Sequence, residues 1–326
     1  MSTATDWTEG SLWNRWDPHI HAPGTLLADL FKSDWDGYLA AIRLADPKVA
    51  ALGITDYCVL ASYDLFREKA RASKGLEHLK LVFPNVEFRL TIETEKLKGI
   101  NLHLLFSPSD SNHVEEIKRV LRTFTFEFRD RQYSCEIESL KALGRAFDPT
   151  QKDDRGGLQQ GVNQFKLDHK QLSRLRHGDK WMRENCLIAL SLKTSDGTSG
   201  LQKDGSFSAV REELEALADV MFSSRPGDRD FWLGRGSLTR EEVERKFGAL
   251  KPCIHGCDAP RAYASALRRQ RVDDRAKCIR ITEESRHIAK IHLRLRPVAH
   301  RADTVFEKRG ELGWIHARGE RSTPNA

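Results

Sequence analysis

The chain has 326 residues, 39% apolar and 31% charged, which is room for about two average domains or one large α/β barrel with a core of its own. Its net charge is +6, but residues 261–326 carry 13 Arg and 3 Lys against 8 acidic residues, so that segment sums to +8 and the preceding 260 residues to −2. The longest apolar runs, such as residues 186–190, fall far short of the roughly 18 residues of a membrane helix, and six scattered cysteines (58, 135, 186, 253, 257 and 278) lack the spacing of a disulfide scaffold, so a reduced cytoplasmic setting with no membrane partner is expected.

Residues 1–12 are acidic and polar, unlike a signal peptide. Residues 13–21 end in a short strand-like run, Asp17-Pro-His19-Ile-His21. Residues 33–45 have the helical spacing of Trp35, Leu39, Ile42 and Leu44, and residues 49–55 read as a buried strand. A helix is predicted over 64–75, strands over 79–87 and 100–106, and a helix over 114–125. Residues 146–185 break the rhythm, and the polar, Gly-rich stretch 153–161 is expected to be a loop or lid. A strand over 186–192, a helix over 209–218 and short strands over 220–223 and 252–257 close the series. Strands alternating with helices imply a parallel sheet with covering helices, open or closed into a barrel.

Ligand-type side chains fall at the ends of these strands. His19 and His21 are two apart, so on a strand both imidazoles face one side, with Asp17 expected on the same face. Thr55-Asp56-Tyr57 follows the second strand, Asn85-Val86-Glu87 ends the third, Asn101-Leu102-His103 lies in the fourth, and His255-Gly-Cys257-Asp258 ends the last. The C-terminal rim of such sheets is where active sites form. Imidazole with carboxylate suits Zn²⁺, Mn²⁺ or iron. Cys253, His255 and Cys257 alternate and offer a second zinc reading, beside the plainer one in which the cysteines pack and His255 serves the main site. Residues 195–200, Ser-Asp-Gly-Thr-Ser-Gly, read as a turn or an anion loop. Lys193, Arg225 and Arg229 are candidates for a substrate clamp.

The ordered set Asp-Pro-His19-Ile-His21, Gly-Ile-Thr-Asp56-Tyr57, Asn-Val-Glu87, Asn-Leu-His103 and His255-Gly-Cys-Asp258-Ala resembles the polymerase-and-histidinol-phosphatase (PHP) superfamily. Within it, residues 13–27, 55–57 and 231–234 look most like the N-terminal module of TrlF-type AAA-like ATPases, bacterial proteins linked to DNA repair or phage defence. The resemblance covers about residues 10–260. It implies an α/β fold, a distorted (β/α)7 barrel, and hydrolysis of phosphoesters by a metal-activated water. Carried over, His19 and His21 match the opening ligand pair, Glu87 the bridging carboxylate, His103 the next imidazole and Asp258 the closing carboxylate. Asp56, Glu87 and Asp258 are the carboxylates expected at the reacting centre. The chain departs from the pattern at Tyr57 and Pro260, each standing where the family has a His, and His255 is the candidate to replace one missing ligand. One or two divalent ions (Mn, Zn or Fe) are expected.

Two domains follow: 1–260, the hydrolase, and 261–326, an Arg-rich tail expected to be poorly structured. The tail reads either as a basic arm for nucleic-acid phosphates or as an out-of-frame extension, favoured because the motif and the Arg-to-Lys balance fail together. No phosphate-binding Gly-x-x-x-x-Gly-Lys-[Ser/Thr] motif occurs, so the ATPase module of the relatives is expected to be missing. The expected substrate is a phosphorylated small molecule or a nucleic acid. The competing expectation is a catalytically degenerate interaction or regulatory domain.

Overall fold

The computed structural model describes residues 15–256, apart from residues 28, 30, 32, 47, 96 and 202–207. Trp13, Cys257, Asp258, Pro260 and the tail at 261–326 lie outside the described residues, and with them the expectations placed there.

The chain begins with β1 (Arg15–His21), α1 (Trp35–Arg43), β2 (Val49–Tyr57), α2 (Ala61–Ala72), β3 (Leu81–Glu93) and β4 (Gly99–Phe106). Then come α3 (His113–Arg122), the small hairpin β5 (Thr125–Phe128) and β6 (Arg131–Ser134), and four helices: α4 (Ile137–Phe147), α5 (Asp154–Gln164), α6 (His169–Gly178) and α7 (Lys180–Asn185). The last part holds β7 (Cys186–Ser191), α8 (Ser208–Leu217), β8 (Val220–Phe222), α9 (Pro226–Trp232), α10 (Arg240–Phe247) and β9 (Cys253–Ile254). No described helix is long and apolar enough to cross a membrane.

Seven strands form one sheet in the order β1-β2-β3-β4-β7-β8-β9. The expectation of an all-parallel sheet is corrected at β4, which runs antiparallel to both β3 and β7. The reason is length. Strand β3 continues past Glu87 to Glu93, leaving five residues before Gly99. That is enough for a hairpin, whereas a parallel crossover needs a dozen or more. The other six strands share one direction, so their C-terminal ends form a common rim.

The two faces of the sheet are covered differently. On the concave face, Trp16, Ala51, Leu81, Phe83, Leu105, Leu187, Ala189, Val220, Phe222 and Ile254 make one cluster with members from all seven strands. On the outer face, Leu52 and Ile54 pack with Tyr38, Leu39 and Ile42 of α1 and with Tyr63 and Phe66 of α2. Phe88, Leu90, Leu102 and Leu104 meet α3 to α6 through Ile117, Leu140, Val162 and Leu172. The sheet curls far enough that Gly256, just past β9, abuts His19 of β1: a Cβ on Gly256 would lie 2.4 Å from the His19 Cβ. No ladder joins β1 to β9 among the described residues.

The expected loop or lid at 153–161 is instead most of α5. Asp153 caps it, accepting from the Gly156 N–H. Gly161 of α5 and Gly144 of α4 let the two helices meet backbone to backbone. A Cβ on Gly144 would stand 1.9 Å from the Gly157 carbonyl oxygen, and one on Gly161 1.8 Å from that of Leu140.

Candidate metal centre

The site begins with an irregularity in β1. Asp17 pairs with Leu52 and Ile20 with Ile54, three residues against two, which makes a bulge at Pro18 and His19. Pro18 has no N–H to give to a ladder, so a bulge suits it. The bulged carbonyl of Pro18 presses onto β2 where Gly53 leaves room; a Cβ there would be 2.2 Å from the Pro18 oxygen. Asn85 of β3 holds that carbonyl from the next strand over, its Nδ2 donating at 2.8 Å.

The bulge re-aims the side chains. Asp17 is in register with Leu52, which packs under the helices, whereas His21 is in register with Thr55, three residues on and therefore on the other face. The shared face expected for Asp17, His19 and His21 is thus corrected: Asp17 turns from the concave side, although its Oδ1 still accepts from the His19 N–H at 3.4 Å.

His19 and His21 converge on Glu87. Their Nε2 atoms lie 3.5 and 3.7 Å from Glu87 Oε2. One ligand atom from each of the three residues can be chosen so that all lie within 4.8 Å of one another, and all three residues are buried. Asn101 donates to Glu87 Oε1 at 2.8 Å, and Oε2 accepts no hydrogen bond among the described residues. A buried carboxylate oxygen left over between two imidazole nitrogens has the donor arrangement of a cation site. Burial pushes the Glu87 carboxyl up, but the charges of His103, His19 and His21 outweigh it and bring it down to about 2.

His103 is the cross-strand partner of Glu87. Its ring centroid stands 4.4 Å from that of His19 and 4.8 Å from that of Phe222. Since Asn85 donates to Pro18 through Nδ2, its Oδ1 accepts from His103 Nδ1, at 3.1 Å. In the neutral ring this makes Nε2 the acceptor nitrogen, the one able to bind a metal.

The remaining expected residues are placed as follows. Asp56 is in register with Val86, not Glu87, and so faces the helices. Its carboxylate accepts from the Ser62 N–H at 3.1 Å, the Ser62 hydroxyl at 2.8 Å and the Tyr57 N–H at 2.9 Å. It anchors the start of α2 rather than facing the histidines. Tyr57, beside Glu87, stacks on His21 with centroids 5.3 Å apart and ring planes 14° from parallel. His255 is half-buried and follows β9 directly. Burial pushes the Cys253 thiol up to about 12, and its partner in the second zinc reading, Cys257, lies outside the described residues, as does Asp258. Arg225 at the rim binds Asp228 Oδ2 at 2.8 Å and Ser199 Oγ at 3.2 Å. Residues 195–200 are turns and a short 3₁₀ helix, Thr198–Gly200.

The sequence reading assigns no role of their own to Asn85 and Asn101. Both share strand parity with Glu87 and His103, and that parity was the available signal.

No family model matches the chain, and no curated protein does. Among solved structures, a Bifidobacterium adolescentis protein named, provisionally, as a metal-dependent phosphoesterase aligns over 77% of this chain and 89% of its own, at a TM-score of 0.33 and 12% identity. That likeness is too distant to assign a function, which must rest on the residues themselves.

Proposed function

We propose that the chain is a metal-dependent phosphoesterase of the PHP type. The observation that carries this reading is the buried convergence of His19, His21 and Glu87 at the C-terminal rim of the curled sheet. These three residues would hold a divalent ion, with His103 beside them as a further imidazole. When bound, such an ion polarises a phosphoryl oxygen and lowers the pKa of its water from about 15.7 to about 7.

The chain's own contribution is orientation. Asn101 fixes the Glu87 carboxylate, Asn85 fixes the His103 ring and the bulge carbonyl, and Phe222 walls the imidazoles. Such partners of ligating groups typically tune metal affinity about 10–100-fold. The finer context, the N-terminal module of a TrlF-type ATPase, is supported by the motifs at 55–57 and 231–234. The competing reading, a degenerate interaction domain, is favoured by Tyr57, which stacks on His21 where the family pattern has a ligand.

Hydrolysis of an aryl phosphate and of single-stranded DNA with added Mn²⁺ tests the proposal. Turnover by the wild type that falls at least roughly 100-fold in His19→Ala/His21→Ala and in Glu87→Gln is expected, since the ion supplies several kcal/mol of the barrier reduction. Failure of the wild type on both substrates with Mn²⁺, Zn²⁺ and Fe²⁺ would favour the degenerate reading.

A further inference from the structure

Beyond Glu87, strand β3 carries a second chemically distinctive residue on the same face. Arg89 is in register with Asn101, the residue that donates to Glu87, and lies about 6.5 Å further along the strand toward the rim. Where β2 ends, the segment leaving α5 takes its place beside β3. Leu167 N–H donates to the Arg89 carbonyl, Thr91 N–H to the Leu167 carbonyl, and Leu90 and Leu167 form a parallel bridge. Leu90 and Leu167 both enter the helix-covered core, so alternation sets their neighbours Arg89 and Lys166 side by side on the concave face.

Both cations are half-buried, and they share one neutral residue. Arg89 Nη1 donates to Asn163 Oδ1 at 3.2 Å and Lys166 Nζ to the Asn163 carbonyl at 2.6 Å. Neither has a carboxylate oxygen within 4.0 Å among the described residues. Burial and the Arg89 charge hold the Lys166 ammonium below its ordinary range, outweighing the opposite pull of Cys58 and of the more distant Glu93 carboxylate. Two partly desolvated like charges cost stability unless something anionic joins them. Arg225, a clamp candidate from the sequence, already has Asp228.

We propose that Arg89 and Lys166 are the specificity-determining clamp for the substrate's phosphoryl group, positioned to favour a doubly charged terminal phosphate over a singly charged internal diester. Their planar fork and point charge would grip the oxygens turned away from His19, His21 and Glu87. This inference rests on the phosphoesterase reading and selects its substrate class.

Calorimetric titration of the full chain with inorganic phosphate, both metal-free and Mn²⁺-loaded, tests the clamp apart from turnover. Arg89→Gln and Lys166→Gln should each weaken phosphate binding at least roughly tenfold, with Mn²⁺ uptake unchanged, while Arg89→Lys retains an intermediate affinity. In steady-state assays the same variants should raise KM for an aryl phosphate and lower its kcat/KM relative to that for the bis-aryl diester. Wild-type phosphate affinity in both Gln variants would overturn the clamp while leaving the phosphoesterase reading intact. If the wild type takes up no metal, that reading fails, and the metal-free titration still decides whether Arg89 and Lys166 bind the anion. Circular dichroism of each variant confirms that it is folded.

Discussion

Asp56 and Glu87 are buried carboxylates on adjacent strands whose surroundings drive them in opposite directions. Burial lifts Asp56 to about 6 despite its hydrogen bonds from Ser62 and Tyr57, while three imidazoles bring Glu87 to about 2. For Asp56 the native state binds a proton that the unfolded chain releases from about pH 3.8. The cost of ionising it is absent below that pH and complete above about 6, so its contribution to stability falls as pH rises through the window. Asp56→Ala should cost about 1–3 kcal/mol by leaving the Ser62 donors buried and unpaired, and should leave metal stoichiometry unchanged. Urea denaturation across pH 4–7 with elemental analysis checks both; loss of metal from a well-folded variant would return Asp56 to the site. The sequence made His19, His21 and Glu87 legible because ligand types at strand ends are conspicuous. It could not separate Asp56 from them, since adjacent residues on a strand differ in face and the register is not written locally. The face of Asp17 is hidden for a related reason: period-two counting fails across a bulge.

At the scale of single elements, two glycines decide what the sequence left ambiguous. Gly53 interrupts the apolar run 49–54 of β2, and the space of its missing side chain is what the Pro18 carbonyl occupies. Gly53→Ala should therefore flatten or displace the bulge and move His19, weakening Mn²⁺ binding at least roughly tenfold, as for other disturbed supports of metal ligands. Unchanged binding by calorimetry would show that the bulge does not set the imidazole. In α5, three glycines looked like loop composition. Close packing of Gly161 against the α4 backbone offsets its poor helix propensity, and a single-sequence reading sees only the propensity. An exposed helical Gly→Ala change gains about 1 kcal/mol. Gly161→Ala should instead lose about 1–3 kcal/mol, because the new methyl meets the Leu140 backbone. Stabilisation by the substitution, in a denaturant titration, would mean that α5 stands off from α4.

For the molecule as a whole, alternation of strands and helices revealed the α/β class and the rim, because six of the seven sheet strands obey it. The reversal at β4 was hidden in the length of β3: reading the third strand as ending at Glu87 left a gap wide enough for a crossover, and the extra residues to Glu93 close it. The helices α6 and α7 fall in the stretch 146–185 where the rhythm breaks, and the hairpin of β5 and β6 lies just before it, past the predicted helix over 114–125, where the sequence reading places no element. The curl of the sheet brings the rim together, with His19 and His21 from β1, Glu87 from β3, His103 from β4 and Phe222 from β8 around one small buried volume. The central claim is that this volume is a metal site. Elemental analysis of the full chain, purified without chelators and dialysed against Mn²⁺ or Zn²⁺, tests it most directly. At least one ion per chain is expected in the wild type and loss of that ion in Glu87→Gln and in His19→Ala/His21→Ala. A folded wild type that retains no ion, or variants that retain it fully, would contradict the account.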